Sequence, residues 1–231
     1  KRALAIREKA VGPEHPLVAG SLGNLGNLYS RQGRFDEAEP LYRQALVIME
    51  KALGPEHPHL GGSYSNLALL HRNQGRYAEA EPLQKRALAI REKAFGPEHP
   101  EVAASLFNLA DLYRDQGRLE EARPLYERAL SIWTTAFGEN HHDVALCLNE
   151  LAGLCREQGE YTKAERMHKD ALAIWESIYG AEHTQVATVL CDLALLSRKQ
   201  GRYSEANPLY RRAIGITELV HGREHPDIAN S

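Results

Sequence analysis

Histidine returns every 42 residues along this chain, at His15, His57, His99, His141, His183 and His225. Imidazole is a common metal ligand and proton carrier, so its repetition is the first feature to test for chemistry. The first three stand in identical Gly-Pro-Glu-His-Pro segments, Gly12 to Pro16, Gly54 to Pro58 and Gly96 to Pro100. The segment erodes around His141-His142 and His183-Thr184, and ends at Gly222, Arg223, Glu224, His225 and Pro226. Zinc needs donors about 2.1 Å from a single point. Loops separated by a helix pair lie roughly 20 Å apart if each helix is ~10 Å across, so these histidines do not converge. His141, His142 and Asp143 are a local exception, but three adjacent residues rarely form a site alone. The expectation is no metal, with each histidine capping a helix or packing on the next loop.

Nucleophilic chemistry fares no better. No Gly-x-Ser-x-Gly, phosphate-binding loop or zinc-protease helix occurs. Cys147, Cys155 and Cys191 are odd in number and have no ligand spacing, which reads as buried thiols in a reducing compartment. Cys147 and Cys155 are roughly 12 Å apart along one helix and cannot bridge. Cys155 takes the place Tyr113 has in its repeat, so packing accounts for it. The expectation is a non-enzyme without cofactors.

The repeat itself predicts how the residues are positioned. In the unit from Pro58 to Gly96, helical spacing from Leu60 onward predicts a first helix ending at Gln74-Gly75. A second is predicted from Tyr77-Ala78 to Gly96, with Gly75 and Gly96 both as left-handed caps and Pro100 in the next first turn. Pro82, early in the second helix, predicts at most a slight bend. Alanines recur at Ala38, Ala80, Ala122, Ala164 and Ala206 and at Ala45, Ala87, Ala129, Ala171 and Ala213, where small side chains let antiparallel helices approach. One helix pair cannot bury both its faces, so a stack must supply the core. The predicted fold is all-α, a right-handed α-solenoid and a single array over residues 1–231. Its parts are a helix at 1–11, repeats near 16–53, 58–95, 100–137, 142–179 and 184–221, and a partial repeat at 226–231. Starting on Lys1-Arg2-Ala3-Leu4, which matches Lys85-Arg86-Ala87-Leu88, the chain reads as a piece of a longer protein.

Leu106, Leu109, Ala110, Tyr113, Gly117, Ala122, Tyr126 and Ala129 carry a resemblance to the tetratricopeptide repeat. The standard unit has 34 residues, and the excess here lies in a longer second helix and the Gly-Pro-Glu-His-Pro loop. With Asn-Leu-Ala in the first helix, the chain is similar to the kinesin light chain class, which many multi-repeat proteins and sensor regions of signalling NTPases also use.

The resemblance implies a concave surface lined by the first helices, with peptide-contacting asparagines on it. Those places hold Asn24, Asn66 and Asn108, then Glu150 and Asp192. Three residues on stand Asn27, Leu69, Asp111, Gly153 and Leu195, and seven on stand Arg31, Asn73, Asp115, Glu157 and Lys199. These spacings share one helix face. An amide carries donors and an acceptor, so such a row suits the backbone of an extended peptide, or else a neighbouring helix. Arg72, Arg114, Arg156 and Arg198 form a second row, open to an acidic ligand or to favourable contact with the helix dipole. Kinesin light chains recognise a Trp flanked by acidic residues; by resemblance, Asn24 to Arg114 suits such a ligand, whereas Glu150, Glu157 and Asp192 do not. A clamp for chaperone-tail carboxylates needs bases where this chain has Gly20, Gly62, Ala104 and Leu146.

Composition agrees with a binding module. The chain has 231 residues, 43% hydrophobic and 26% charged, with net charge −3, which argues against nucleic acid. No long apolar run suggests a membrane span, and a cytoplasmic setting is expected. The leading reading is a non-catalytic adaptor or scaffold whose concave groove holds a peptide or protein segment. Two others are the sensor region of a larger NTPase or protease-type effector, and an array self-associating through exposed terminal half-repeats. The intact motifs and the asparagine row mark the first three repeats as the binding half.

Overall fold

The structure, a computed structural model, describes residues 2–221. Every regular element among them is an α-helix. In order they are α1 (Arg2–Val11), α2 (Pro16–Arg31), α3 (Phe35–Leu53), α4 (His59–Asn73), α5 (Tyr77–Phe95), α6 (Pro100–Asp115), α7 (Leu119–Phe137), α8 (His142–Glu157), α9 (Tyr161–Tyr179), α10 (Thr184–Lys199) and α11 (Tyr203–His221). These are helix-turn-helix repeats of the solenoid class. The Gly222 to Pro226 segment and the partial repeat at 226–231 lie outside the described residues. Two compact units form, one through Leu125 and one from Tyr126, so the division falls within α7.

Two different glycines punctuate each repeat. Gly33, Gly75, Gly117, Gly159 and Gly201 are left-handed, with φ from 71° to 81°. Around Gly75 the Arg76 amide donates to the His71 carbonyl at 2.8 Å and the Gly75 amide to that of Arg72 at 2.9 Å. Those two bonds are the Schellman closure of a helix end. Gly96 was expected to be a left-handed cap as well, and here the structure corrects the expectation. Its φ of 85° comes with ψ of 160°, as do Gly54 at 84° and 158° and Gly180 at 84° and 169°. That region is essentially restricted to glycine. It swings the chain out of the second helix instead of curling it back.

Among the described residues, the five loop histidines bond the starts of the first helices, four of them as N-caps. Nδ1 of His15, His99 and His183 accepts the backbone N–H two residues on, at 3.2 Å in each case. His57 and His141 do the same at 3.3 Å. Each of these bonds satisfies one of the orphan donors at a helix start. His99, His141 and His183 also lie against Phe95, Phe137 and Tyr179, with ring centroids 4.7, 4.2 and 4.4 Å apart. The aromatic that ends one second helix thus braces the cap that begins the next first helix.

All ten recurrent alanines are buried. In the first unit they pack with Val18, Leu22 and Ile48, and with Tyr29, Tyr42, Leu67 and Leu70. In the second, Ala152, Cys155, Ala164 and Leu196 form a cluster. Ion pairs tie one repeat to the next within each unit. Glu39 meets Arg76, Glu81 meets Arg118 at 2.8 Å, and Glu165 meets Arg202. Each arginine follows a Schellman glycine, so the turn that ends a first helix also anchors its repeat to the previous second helix. Lys85, then Arg118 and Tyr113, hold the Glu81 carboxyl down to about 2.

Candidate functional site

On α2, Gly20, Gly23, Asn24 and Asn27 fall at helical spacing on one face. Gly62 and Asn66 occupy the corresponding part of α4. Together they border a groove of about 260 Å³, backed by Tyr42 and Met49 of α3. A β-carbon at Gly20, Gly23 or Gly62 would meet nothing within 4 Å. Packing therefore does not require these glycines. Each costs its helix about 1 kcal/mol relative to alanine. What they provide is an open floor on which another backbone can lie close.

Gly26 and Gly61 are different. A β-carbon at Gly26 would stand 2.8 Å from the Tyr42 ring, and one at Gly61 would stand 3.0 Å from the Arg91 side chain. Gly26 makes room for Tyr42, whose hydroxyl donates to Asn27 Oδ1 at 2.6 Å. Tyr42 thereby fixes the Asn27 amide at the groove wall.

The predicted site residues divide three ways. Asn24, Asn27 and Asn66 come together on the groove. Asn24 is exposed, Asn66 and Asn108 are half-buried, and none of the three bonds to another group among the described residues. Asn108 and Arg72 meet instead in a shallow notch with Leu69 and Gln84. Arg72 is committed within the chain. It donates to Asp111 at 2.8 Å and to Asp115 at 2.6 Å, joining α4 to α6. Asp111, placed in the groove by sequence spacing, is thus an arginine partner. Asn73 and Arg31 are exposed at the ends of their helices, beyond both hollows, and Arg114 is half-buried in the last turn of α6. Sequence reasoning used Gly20 and Gly62 only to dismiss a clamp. Their role as floor depends on the space above them, which spacing alone does not reveal.

In the second unit the equivalent face is occupied by its own bonds. Asn149 donates to Asp192 at 3.2 Å, Arg156 reaches Asp192 at 3.5 Å, and Asn149 Oδ1 lies 2.8 Å from His168 Nδ1. His168 is fully buried, and its Nε2 has no partner. Burial, opposed by Asp192 and aided by Arg156, pushes its pKa down to about 4.

His141, His142 and Asp143 bring potential metal-ligand atoms within 4.8 Å of one another. Yet His141 Nδ1 is the cap acceptor for the Asp143 amide. The trio also sits at the N-terminus of α8, whose dipole disfavours a cation. No described helix is long and apolar enough to cross a membrane.

Profiles of the tetratricopeptide repeat match residues 60–132, 108–177, 146–219 and 18–59. Nephrocystin-3 of Xenopus laevis is 49% identical over 45 residues, 20% of this chain and 4% of that protein. The human protein matches at the same identity over 3% of its length, so the chain spans a small fraction of these curated relatives. Among solved structures, BtubC (BKLC) from P. vanneervenii is 27% identical, with a TM-score of 0.80 over 97% of this chain and 90% of its own. A Podosopora anserina protein of nearly identical TPR-like repeats is 27% identical, with a TM-score of 0.73 over 90% of this chain and 99% of its own.

Proposed function

We propose that this chain, which belongs to the tetratricopeptide repeat family, binds an extended peptide or protein segment in the groove of its first three repeats. The family is one of interaction modules, and that membership supports an adaptor or scaffold role. The observation that carries the finer reading is the floor of Gly20, Gly23 and Gly62 beneath Asn24, Asn27 and Asn66. These glycines weaken two helices and fill no packing need, while the asparagines above offer amide donors and acceptors without charge. Main-chain N–H and C=O groups are the matching ligand chemistry. With Arg72 held by Asp111 and Asp115, an acidic peptide gains little from it, so backbone contact and shape dominate recognition.

The test uses peptides selected from a random library on the wild-type chain. Gly62→Leu plugs the groove where a β-carbon has room, and leucine favours the helix. Titration is expected to show at least about tenfold weaker binding, with helical circular dichroism unchanged. Asn24→Ala with Asn66→Ala weakens binding by about the same factor, the loss of one or two amide hydrogen bonds. Unchanged affinity in the plugged variant sinks the groove reading.

A further inference from the structure

A second hollow lies away from that groove, wholly inside the second unit. It has a volume of about 460 Å³ and is bounded by the end of α7, α8 and α9. Leu130, Leu148 and Ile174 give it apolar walls, and Asn140, Arg166 and Asp170 give it a polar edge. That size falls within the range of small-ligand and side-chain pockets.

The second repeat shows one way in which this space is filled. Two repeats earlier, the same positions carry Glu50, Glu56, Tyr64 and Arg86, where the second unit has Thr134, Asn140, Leu148 and Asp170. In the first unit the Tyr64 hydroxyl donates to Glu50. The Arg86 guanidinium crosses the hollow to donate to Glu56 and, at 3.1 Å, to the Pro55 carbonyl. The repeat from His142 to Tyr179, with the end of the helix before it, has lost all four of those side chains, whereas Arg128 and Arg212 keep the arginine in the neighbouring repeats. Asp170 stands where the arginine would start, too short and of the wrong sign to cross. Leu148 removes the phenol and lines the opening with an apolar surface.

What remains is the receiving half of an arginine site. Asn140 and Glu139 hold the register of Glu56 and Pro55 and line the cleft, where Asn140 offers an amide oxygen, Glu139 a carbonyl and Asp170 an anion. Arg166 opposes a cation. It is 86% exposed, however, and is 3.9 Å from Asp170, a loose pair that a close bidentate contact displaces. We propose that this cleft receives an arginine side chain from a partner protein. The guanidinium lies between Asp170, Asn140 and the Glu139 carbonyl, and the methylenes lie along Leu148 and Ile174. Guanidinium suits the site better than an ammonium, because its planar fork serves several acceptors at once. The partner supplies in trans what Arg86 supplies within the first unit. This is independent of the groove and can fail without it.

The probe is N-acetyl-arginine methylamide, with its citrulline counterpart as an uncharged isostere, titrated into the chain and followed by methyl NMR. Saturable shifts at Leu148 and Ile174 are expected with the arginine compound and not with citrulline. Asp170→Arg, which refills the cleft in the manner of Arg86, is expected to abolish them. Should that variant fold poorly, Asn140→Glu serves instead: restoring the carboxylate of Glu56 should tighten binding about three- to tenfold. No shifts in the wild type, equal shifts with citrulline, or Asn140→Glu binding no tighter would each overturn the proposal.

Discussion

The two units share one helical frame and differ in where their polar groups go. In the first unit, Arg86 and Tyr64 seal the cleft beside α4, while Asn24 and Asn66 remain unengaged over a glycine floor. In the second, Asn149, Arg156, His168 and Asp192 bond with one another across the groove-facing helices. There the cleft beside α8 stands open. The backbone caps, the alanine contacts and the Schellman turns do not distinguish the units. Specialisation therefore lies in a few side chains laid on a constant frame, and each unit leaves a different hollow open.

The largest expected effect would break this symmetry by acid. His168 is neutral in the fold, with a pKa of about 4 against about 6.5 when unfolded, so the unfolded chain takes up the proton first as pH falls. Stability is intact above pH 6.5, declines between 6.5 and about 4, and falls no further below that on account of this group. The loss is on the order of 3 kcal/mol. His168→Gln, copying Gln84 at the same place in the first unit, should remove most of that slope. Residue-resolved hydrogen exchange at several pH values would show it confined to the second unit. His71, lowered in the first unit by burial and by Arg76, works in the same direction.

Next in size is a test of the shared frame. Gly96→Ala and Gly180→Ala both force alanine into a glycine-only conformation, at about 2 kcal/mol each. Equal losses in urea titration would sharpen the claim that the frame is common to both units. A clear inequality would break it. Gly75→Ala, in the left-handed region, should cost less, about 1 kcal/mol.

Gly26→Ala pushes a methyl into the Tyr42 ring and should cost about 1 kcal/mol after its gain in helix propensity. Adding Tyr42→Gln should recover the loss, because Gln84 sits beside an alanine in the next repeat. Smallest are the charge pairs. A double-mutant cycle on Arg72 and Asp111, 2.8 Å apart, should couple by about 1 kcal/mol. The looser Arg156 and Asp192, at 3.5 Å, should couple by about half of that.

Much of this was readable beforehand because a period repeats its information. Helix ends at Gly33 or Gly75, proline starts at Pro16 and Pro100, and alanine contacts at Ala80 and Ala87 each follow from local conformational preference. The histidine caps were one of two expected roles for the loop histidines, and the packing of His99 on Phe95 adds to it. The site was less legible. The register of Asn24 and Asn66 puts them on one helix face and both border the groove, but the pairing of Arg72 with Asp111 and Asp115 depends on two helices from successive repeats. The significance of Gly20, Gly23 and Gly62 likewise depends on the empty space above them.

By itself the sequence determined the period, the helices, their caps and the small-residue contacts, since these depend on preferences acting over a few residues. Only the tertiary structure decided which side chains cross between repeats and which hollows stay open. A gap between helices is set by everything that could reach into it. Arg86 and Asp170 hold the same register in their repeats, and only the surrounding packing shows that one side chain closes a cleft and the other leaves it vacant.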